Sequence, residues 1–242
     1  RVDMVSFTGS TAVGKHIMAR ASATVKKVFL ELGGKSANIL LDDADFGSAL
    51  LSALGVCFHA GQGCAIATRL LVPKSRQAEA EEILKTYFGY IQYGNPAAED
   101  QIMGPLINKR QQERVLGYIE RGKQEGARLL LGGGRPAQLP RGCYVEPTVF
   151  VDVTNDMTIA QEEIFGPVLA VIAYDDEEDA IRIANDSVYG LSGAVWSADE
   201  ARALRVARRI RTGTINVNGG NFYAADAPFG GYKQSGLGRE MG

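Results

Sequence analysis

VFLELGGKSANILL, residues 28–41, sets two apolar runs on either side of a Gly-Gly pair, with one acid, Glu31, inside the first run. Val28 to Leu32 reads as a strand, Gly33-Gly34 as its closing turn, and Ala37 to Leu41 as the next strand. Upstream, Met4 to Phe7 is a third apolar run. Thr8-Gly9 turns the chain there, and Ser10 can cap a helix reaching about Ala23. A strand, helix, strand unit therefore ends near Gly34. Downstream, amphipathic and apolar stretches alternate. A helix opened by Asp43 or Asp45 runs through Ser48 to Phe58, a strand covers residues 68–73, and a helix runs from Gln77 to about Ile91. A helix then spans Asn108 to Gln124, followed by a strand over residues 127–131. YVEPTVF, VLAVIAY and TINVN read as further strands, separated by helices near Glu177–Asn185 and Asp199–Ile210. Such alternation predicts an α/β fold with a largely parallel sheet flanked by helices, preceded by a partial Rossmann-type strand-helix-strand unit.

The chain has 242 residues, 45% hydrophobic and 22% charged, with a formal net charge of −2. That is a globular composition, and nothing in the charge points to nucleic acid or an anionic membrane. No apolar run approaches the roughly 18 residues of a membrane span. Cys57, Cys64 and Cys143 are too few and too odd in number for a disulfide framework, which suggests a reducing, cytoplasmic compartment. With only His16 and His59, no common zinc constellation is available.

Five segments carry chemistry. FTGSTAVGKH (residues 7–16) joins a strand to a helix N-terminus, a ready anion site or simply a capped helix. It nearly matches the phosphate loop of nucleotide triphosphatases, but His16 stands where a hydroxyl for Mg²⁺ is required. Glu31 is either an edge carboxylate paired with Lys26 or Lys27, or a base. Cys64 follows Gly61-Gln62-Gly63, so the backbone can present its thiol to unpaired N–H groups, a setting that lowers a thiol pKa and stabilises an oxyanion. Cys57 and Cys143 lack that context. In AQEEIFGPV, Glu162-Glu163 is a capping pair before a turn or an acid that binds a ribose diol beside Phe165. APFGGYKQSGLGRE is a flexible terminal loop or one facing substrate or cofactor.

Taken in order, FTGSTAVG, LELGGKSANIL, GQGC, EEIFGPV, YGLS, TINVN and PFGGYKQSGLGRE resemble the aldehyde dehydrogenase superfamily along almost the whole chain. The resemblance implies Cys64 as catalytic thiol and Glu31 as the base that activates the hydrolytic water. It implies Gly9 and Ser10 beside the cofactor pyrophosphate, Val13 near the adenine, and Leu32 and Gly33 beside the nicotinamide. It puts Glu163 on the nicotinamide ribose with Phe165 packing nearby, and Phe229, with Phe222 or Tyr223, on the aldehyde tunnel. The implied reaction oxidises an aldehyde to a carboxylic acid with NAD or NADP, NAD being favoured, through a hemithioacetal and a thioester on Cys64. Glu31 favours hydrolysis of that thioester over transfer to coenzyme A. Residues 1–34 are then the last part of a dinucleotide-binding domain and residues 35–242 a catalytic domain. The full-length protein is expected to be a homo-oligomer, dimer or tetramer. The family's oxyanion-hole Asn and its adenine-ribose contacts are expected upstream of this chain, so this portion is expected to have little dehydrogenase activity alone. Two other readings of the same residues are a cofactor-free thiol esterase and a non-catalytic binding protein.

Overall fold

The structure, a computed structural model, describes residues 2–219 and 226–241. Its elements run β1 (Met4–Thr8), α1 (Thr11–Ser22), β2 (Lys27–Glu31), β3 (Ala37–Leu40), α2 (Phe46–Leu50), β4 (Arg69–Pro73), α3 (Gln77–Gly89), α4 (Lys109–Gln124), β5 (Arg128–Leu131) and β6 (Thr148–Val151). They continue with α5 (Thr158–Gln161), β7 (Val168–Tyr174), α6 (Glu177–Asn185), β8 (Tyr189–Gly190), β9 (Gly193–Trp196), α7 (Glu200–Ala207), β10 (Asn216–Val217), β11 (Tyr232–Lys233) and β12 (Gly236–Leu237).

The main sheet has the order β10-β9-β3-β4-β7-β6-β5. Every neighbouring pair is parallel except β5 with β6, so the expected largely parallel sheet is present. Its middle strands β3, β4 and β7 are apolar along nearly their whole length because parallel strands are covered on both faces. α3 contacts β4, and α6 contacts β3 and β7, so the helices close a core that includes Ile39, Leu70, Leu84, Val171 and Ile183. A second, small sheet has the order β1-β2-β12. Residue 34 falls between the two sheets, but the chain returns at its end: β12 pairs antiparallel with β2, Gly236 facing Glu31.

Local chemistry matches the elements. Ser10 caps α1, its hydroxyl accepting from the Val13 N–H at 3.4 Å. Asp45 caps α2 in the same way, accepting from Gly47 N–H at 3.1 Å. The helix expected from there to Phe58 is different: α2 is one turn, and residues 51–61 tighten into a 3₁₀ segment. That segment ends in a reversal with His59 and Ala60 both at φ 52°. Gly61 explains the reversal: a Cβ there would lie 2.1 Å from the Gly166 carbonyl, so two backbones meet where only glycine fits. YVEPTVF pairs only from Thr148, since Pro147 has no N–H to give a ladder, and TINVN pairs only over Asn216–Val217. The terminal glycine-rich segment is pinned rather than loose. β11 pairs with β8, and Lys233 Nζ donates to the carbonyls of Asn185 and Ser187 at 2.8 and 3.0 Å. Among the described residues no helix is long and apolar enough to cross a membrane.

Candidate active site

Three loops enter three adjacent strands of the main sheet. Residues 32–36 lead into β3, residues 62–68 into β4 and residues 162–167 into β7. Because those strands are in parallel register, Ala37 with Arg69 and Arg69 with Ala170, the loops converge at one edge. There they pack backbone to backbone. A Cβ on Gly34 would lie 2.4 Å from the Cys64 carbonyl oxygen, and one on Gly33 would lie 2.4 Å from Glu163 Oε2. The Gly34 N–H donates to Glu163 Oε1 at 3.1 Å. The C-terminal segment holds the turn from the other side: Ser235 Oγ donates to the Gly33 carbonyl at 2.6 Å, and Leu32 N–H donates to the Ser235 carbonyl at 2.8 Å.

Two cavities meet at Gly63-Cys64. The first, about 760 Å³, is lined by Thr8, Gly9 and Ser10, by Glu31, Leu32 and Gly33, and by Cys64, Glu163 and Phe165. The second, about 690 Å³, is more apolar, with Leu51, Phe58, Ile66 and Trp196 in its wall beside Asn38, His59 and Asn216. The sequence-identified Glu31, Cys64, Gly9, Ser10, Leu32, Gly33, Glu163 and Phe165 are thus gathered around one space. Val13 is not: it lies on α1, 45% exposed, outside that lining. Phe229 is buried, packed with Ala65 and Leu191 against Cys64, and lines neither cavity. Phe222 and Tyr223 lie outside the described residues.

Glu31 is the last residue of β2 and only 4% exposed, and neither of its carboxylate oxygens has a hydrogen-bond partner among the described residues. The paired edge carboxylate with Lys26 or Lys27 is therefore not what forms. Burial pushes its pKa up to about 7, the Glu240 carboxylate adds to the rise, and Arg239 opposes it. Cys64 departs from expectation. The backbone N–H groups of Cys64 and Ala65 do favour a thiolate, but burial first, then the Glu163 and Glu31 charges, move the thiol above its ordinary value. The thiol shares the first cavity with the Glu31 carboxyl, itself raised to about 7. Burial also raises the Glu163 pKa, against the Gly34 hydrogen bond and the charges of Lys35 and Arg114. Cys57, fully buried in the 3₁₀ segment, is pushed up to about 12 and is the inert thiol its sequence suggested.

The whole chain, residues 1–242, matches the Aldehyde dehydrogenase family. The chain belongs to the aldehyde dehydrogenase family. It is 50% identical over 244 residues to a putative aldehyde dehydrogenase of Staphylococcus saprophyticus, covering 100% of this chain and 51% of that protein. Among solved structures it resembles a Mycobacterium tuberculosis aldehyde dehydrogenase complexed with NAD⁺, with a TM-score of 0.96 and 50% identity over 98% of this chain and 49% of that one. It also resembles a mutant aldehyde dehydrogenase C of Pseudomonas syringae in complex with NAD⁺ and octanal, with a TM-score of 0.96 and 46% identity over 98% of this chain and 49% of that one. The chain spans about half the length of the curated relatives it matches.

The first cavity has walls that sequence reading overlooked. Gln62, Arg110, Gln111 and Arg114 also line it. Arg114 donates to the Glu163 carbonyl at 2.8 Å, and Gln111 Nε2 to the carbonyls of Ile164 and Phe165 at 3.2 and 2.7 Å, so α4 holds the Glu163 loop. The available signal was the spacing of Arg110 and Arg114, one helical turn apart, opposite the buried Val115, Ile119 and Gly122. A dinucleotide fits these residues. The turn at Thr8–Ser10 offers α1 N-terminal N–H groups to a phosphate, and the Gly33 cradle leaves room beside the Glu163 carboxylate that a side chain would fill.

Proposed function

We propose that this chain carries the acyl-handling part of an NAD(P)⁺-dependent aldehyde dehydrogenase, with Cys64 as nucleophile and Glu31 as base. The observation that carries the reading is the meeting of two cavities at Cys64, the first lined by the Glu31 carboxylate, unpartnered among the described residues, and the second more apolar. An aldehyde lying in the apolar cavity presents its carbonyl to Sγ. Glu31, half ionised near pH 7, accepts the thiol proton directly or through a water, and the Sγ–C bond forms while the carbonyl oxygen becomes an oxyanion. The backbone N–H groups of Cys64 and Ala65 are the donors available to that oxygen on this chain. When bound, NAD(P)⁺ supplies the hydride acceptor that turns the hemithioacetal into a thioester. Once Glu31 has passed the thiol proton to solvent, it takes a proton from a water, the hydroxide adds to the thioester carbonyl, and the C–Sγ bond breaks to release the carboxylic acid, the proton on Glu31 returning to Sγ to restore the Cys64 thiol.

Gly9, Ser10, Leu32, Gly33 and Glu163 are the cofactor-side contacts of this reading, with Phe165 at the cavity wall. Residues 1–34 supply the cofactor-side unit, and residues 35–242 the acyl-handling one. NAD is the favoured cofactor, as in the complexes named above, and the longer protein is a homo-oligomer. Phe229 acts from behind Cys64 rather than as a cavity wall.

The test is an aldehyde panel with NAD⁺ and NADP⁺ on a longer protein that carries this chain, beside its Cys64→Ala and Glu31→Gln variants. Wild-type turnover should be lost in the first variant and fall strongly in the second, which lacks the base for both thiol activation and thioester hydrolysis. Cys64→Ala turnover equal to wild type would overturn the assignment. For the chain by itself, dehydrogenase activity should be low, while activated esters should be turned over in a way that depends on Cys64 and ignores added NAD⁺.

A further inference from the structure

Behind the Gly33-Gly34 turn lies a third cavity, of about 10 Å³, between the start of β3 and the segment that precedes β10. Two of its lining residues each carry a buried polar atom without a partner among the described residues: Lys35 Nζ and Thr212 Oγ1. Lys35 is 2% exposed and Thr212 9%. A buried ammonium or amine without a partner costs several kcal/mol, roughly, so the pair needs an occupant.

The wall decides what that occupant is. Arg69 also lines the cavity, but four of its five N–H groups are engaged elsewhere. It donates to the carbonyls of Lys35, Ile183 and Ala184 at 3.0, 2.9 and 3.0 Å and to Asn155 Oδ1 at 2.9 Å. Among the described residues no carboxylate lines the space, while Lys35, Arg69 and Arg211 do, which argues against a metal cation. A space of roughly one probe sphere holds a water and is small for a halide. The Lys35 pKa, brought down to about 7 by burial and by Arg69 against Glu163 and Glu162, means that this nitrogen changes between donor and acceptor near neutrality. Water can answer both forms, donating to an amine and accepting from an ammonium, whereas an anion answers only the second.

We propose that this cavity holds one internal water shared by Lys35 Nζ and Thr212 Oγ1, tying the segment after the Gly33-Gly34 turn to the segment that enters β10. The link matters for the site because the residue before Lys35 donates the hydrogen bond that holds Glu163.

A crystal structure of the chain at a resolution that shows ordered water tests the site directly. The expected result is a single peak within hydrogen-bonding distance of both atoms, absent from Thr212→Val. An empty cavity, a direct bond from Lys35 Nζ to a protein atom, or an anomalous peak after a bromide soak would each overturn the proposal. A double-mutant cycle is the solution counterpart. The unfolding constants of Lys35→Met, Thr212→Val and the double variant should show coupling of roughly fivefold, whereas additive effects count against a shared water. If Lys35→Met does not fold, Thr212→Val still decides: loss of the water should move the Gly34 amide resonance, far from it in sequence, and an unmoved resonance counts against the link.

Discussion

Glu31→Gln should stabilise the chain, and only above about pH 5. The folded carboxyl has its pKa at about 7 instead of the ordinary 4.5, because burial and Glu240 disfavour its charge. Below 4.5 it is protonated in both folded and unfolded states and contributes nothing through charge. Between 4.5 and 7 the unfolded chain ionises while the folded one keeps its proton, so stability falls as pH rises. Above 7 both are ionised and the penalty is complete. A displacement of that size has a ceiling of about 3.4 kcal/mol at 1.36 kcal/mol per tenfold. Glu31 borders an open cavity, and water screens part of this, so about 1–2 kcal/mol is expected at pH 8. Glutamine keeps the shape and removes the charge. Urea unfolding of both proteins at pH 4.5 and pH 8 gives the comparison: near-equal stability at the lower pH, and a more stable variant at the higher. A variant less stable than wild type at pH 8 would mean that the folded carboxylate has a partner, which would sink the reading of Glu31 as an unpaired base.

The Cys64 thiol should alkylate along a pH profile whose midpoint lies above the ordinary thiol value, and Glu163→Gln should lower that midpoint and speed iodoacetamide reaction several-fold at pH 8; peptide mapping distinguishes Cys64 from the buried Cys57. Gly34→Ala places a Cβ 2.4 Å from the Cys64 carbonyl oxygen, a backbone atom with little freedom to yield. It should cost about 1–3 kcal/mol in denaturant unfolding and, in a longer active protein, lower kcat by displacing the thiol. Glu240→Gln removes a negative neighbour of Glu31, so the Glu31 carboxyl should titrate at lower pH, read by NMR or as an acid shift in the lower limb of the ester-hydrolysis profile. An unchanged limb would separate Glu240 from the base.

What the sequence showed and hid follows the reach of each signal. Glycine pairs are local statements about backbone approach, and Gly33-Gly34 and Gly61 fall where the loops touch. Periodicity placed α4 over nearly its full length, but it says nothing about the neighbour a polar face meets. Arg110, Gln111 and Arg114 became cavity residues only when the loop after α5 packed against them. The lowered Cys64 pKa was inferred from neighbours in sequence, and the opposing carboxylates come from residues 33 and 99 positions away, Glu31 and Glu163. Arg69 reads as the polar edge of a strand; its burial depends on the last carbonyls of α6, 114 and 115 positions on, which its guanidinium caps. Charge burial is a tertiary property, and no window of sequence reports it.

The approach of Glu31 to Cys64 that the proposed function needs depends on the junction of the two sheets. Glu31 ends a strand of the small sheet, Cys64 stands before a strand of the large one, and only residues 32–36 connect β2 to β3. A five-residue tether alone would leave their separation loose. The return of the C-terminal segment removes that freedom. Gly236 pairs with Glu31, Ser235 holds Leu32 and Gly33, and Phe229 packs on Ala65 and Leu191 beside Cys64. One segment therefore grips Glu31, the tether and the floor beneath Cys64 together. The glycines in it are geometric necessities: Gly236, at φ 144°, leaves a space where a Cβ would lie 1.9 Å from the Leu30 carbonyl oxygen. PFGGYKQSGLGRE, which reads locally as a flexible loop or one facing substrate or cofactor, is thus the clamp that joins two separate sheet edges at the proposed site.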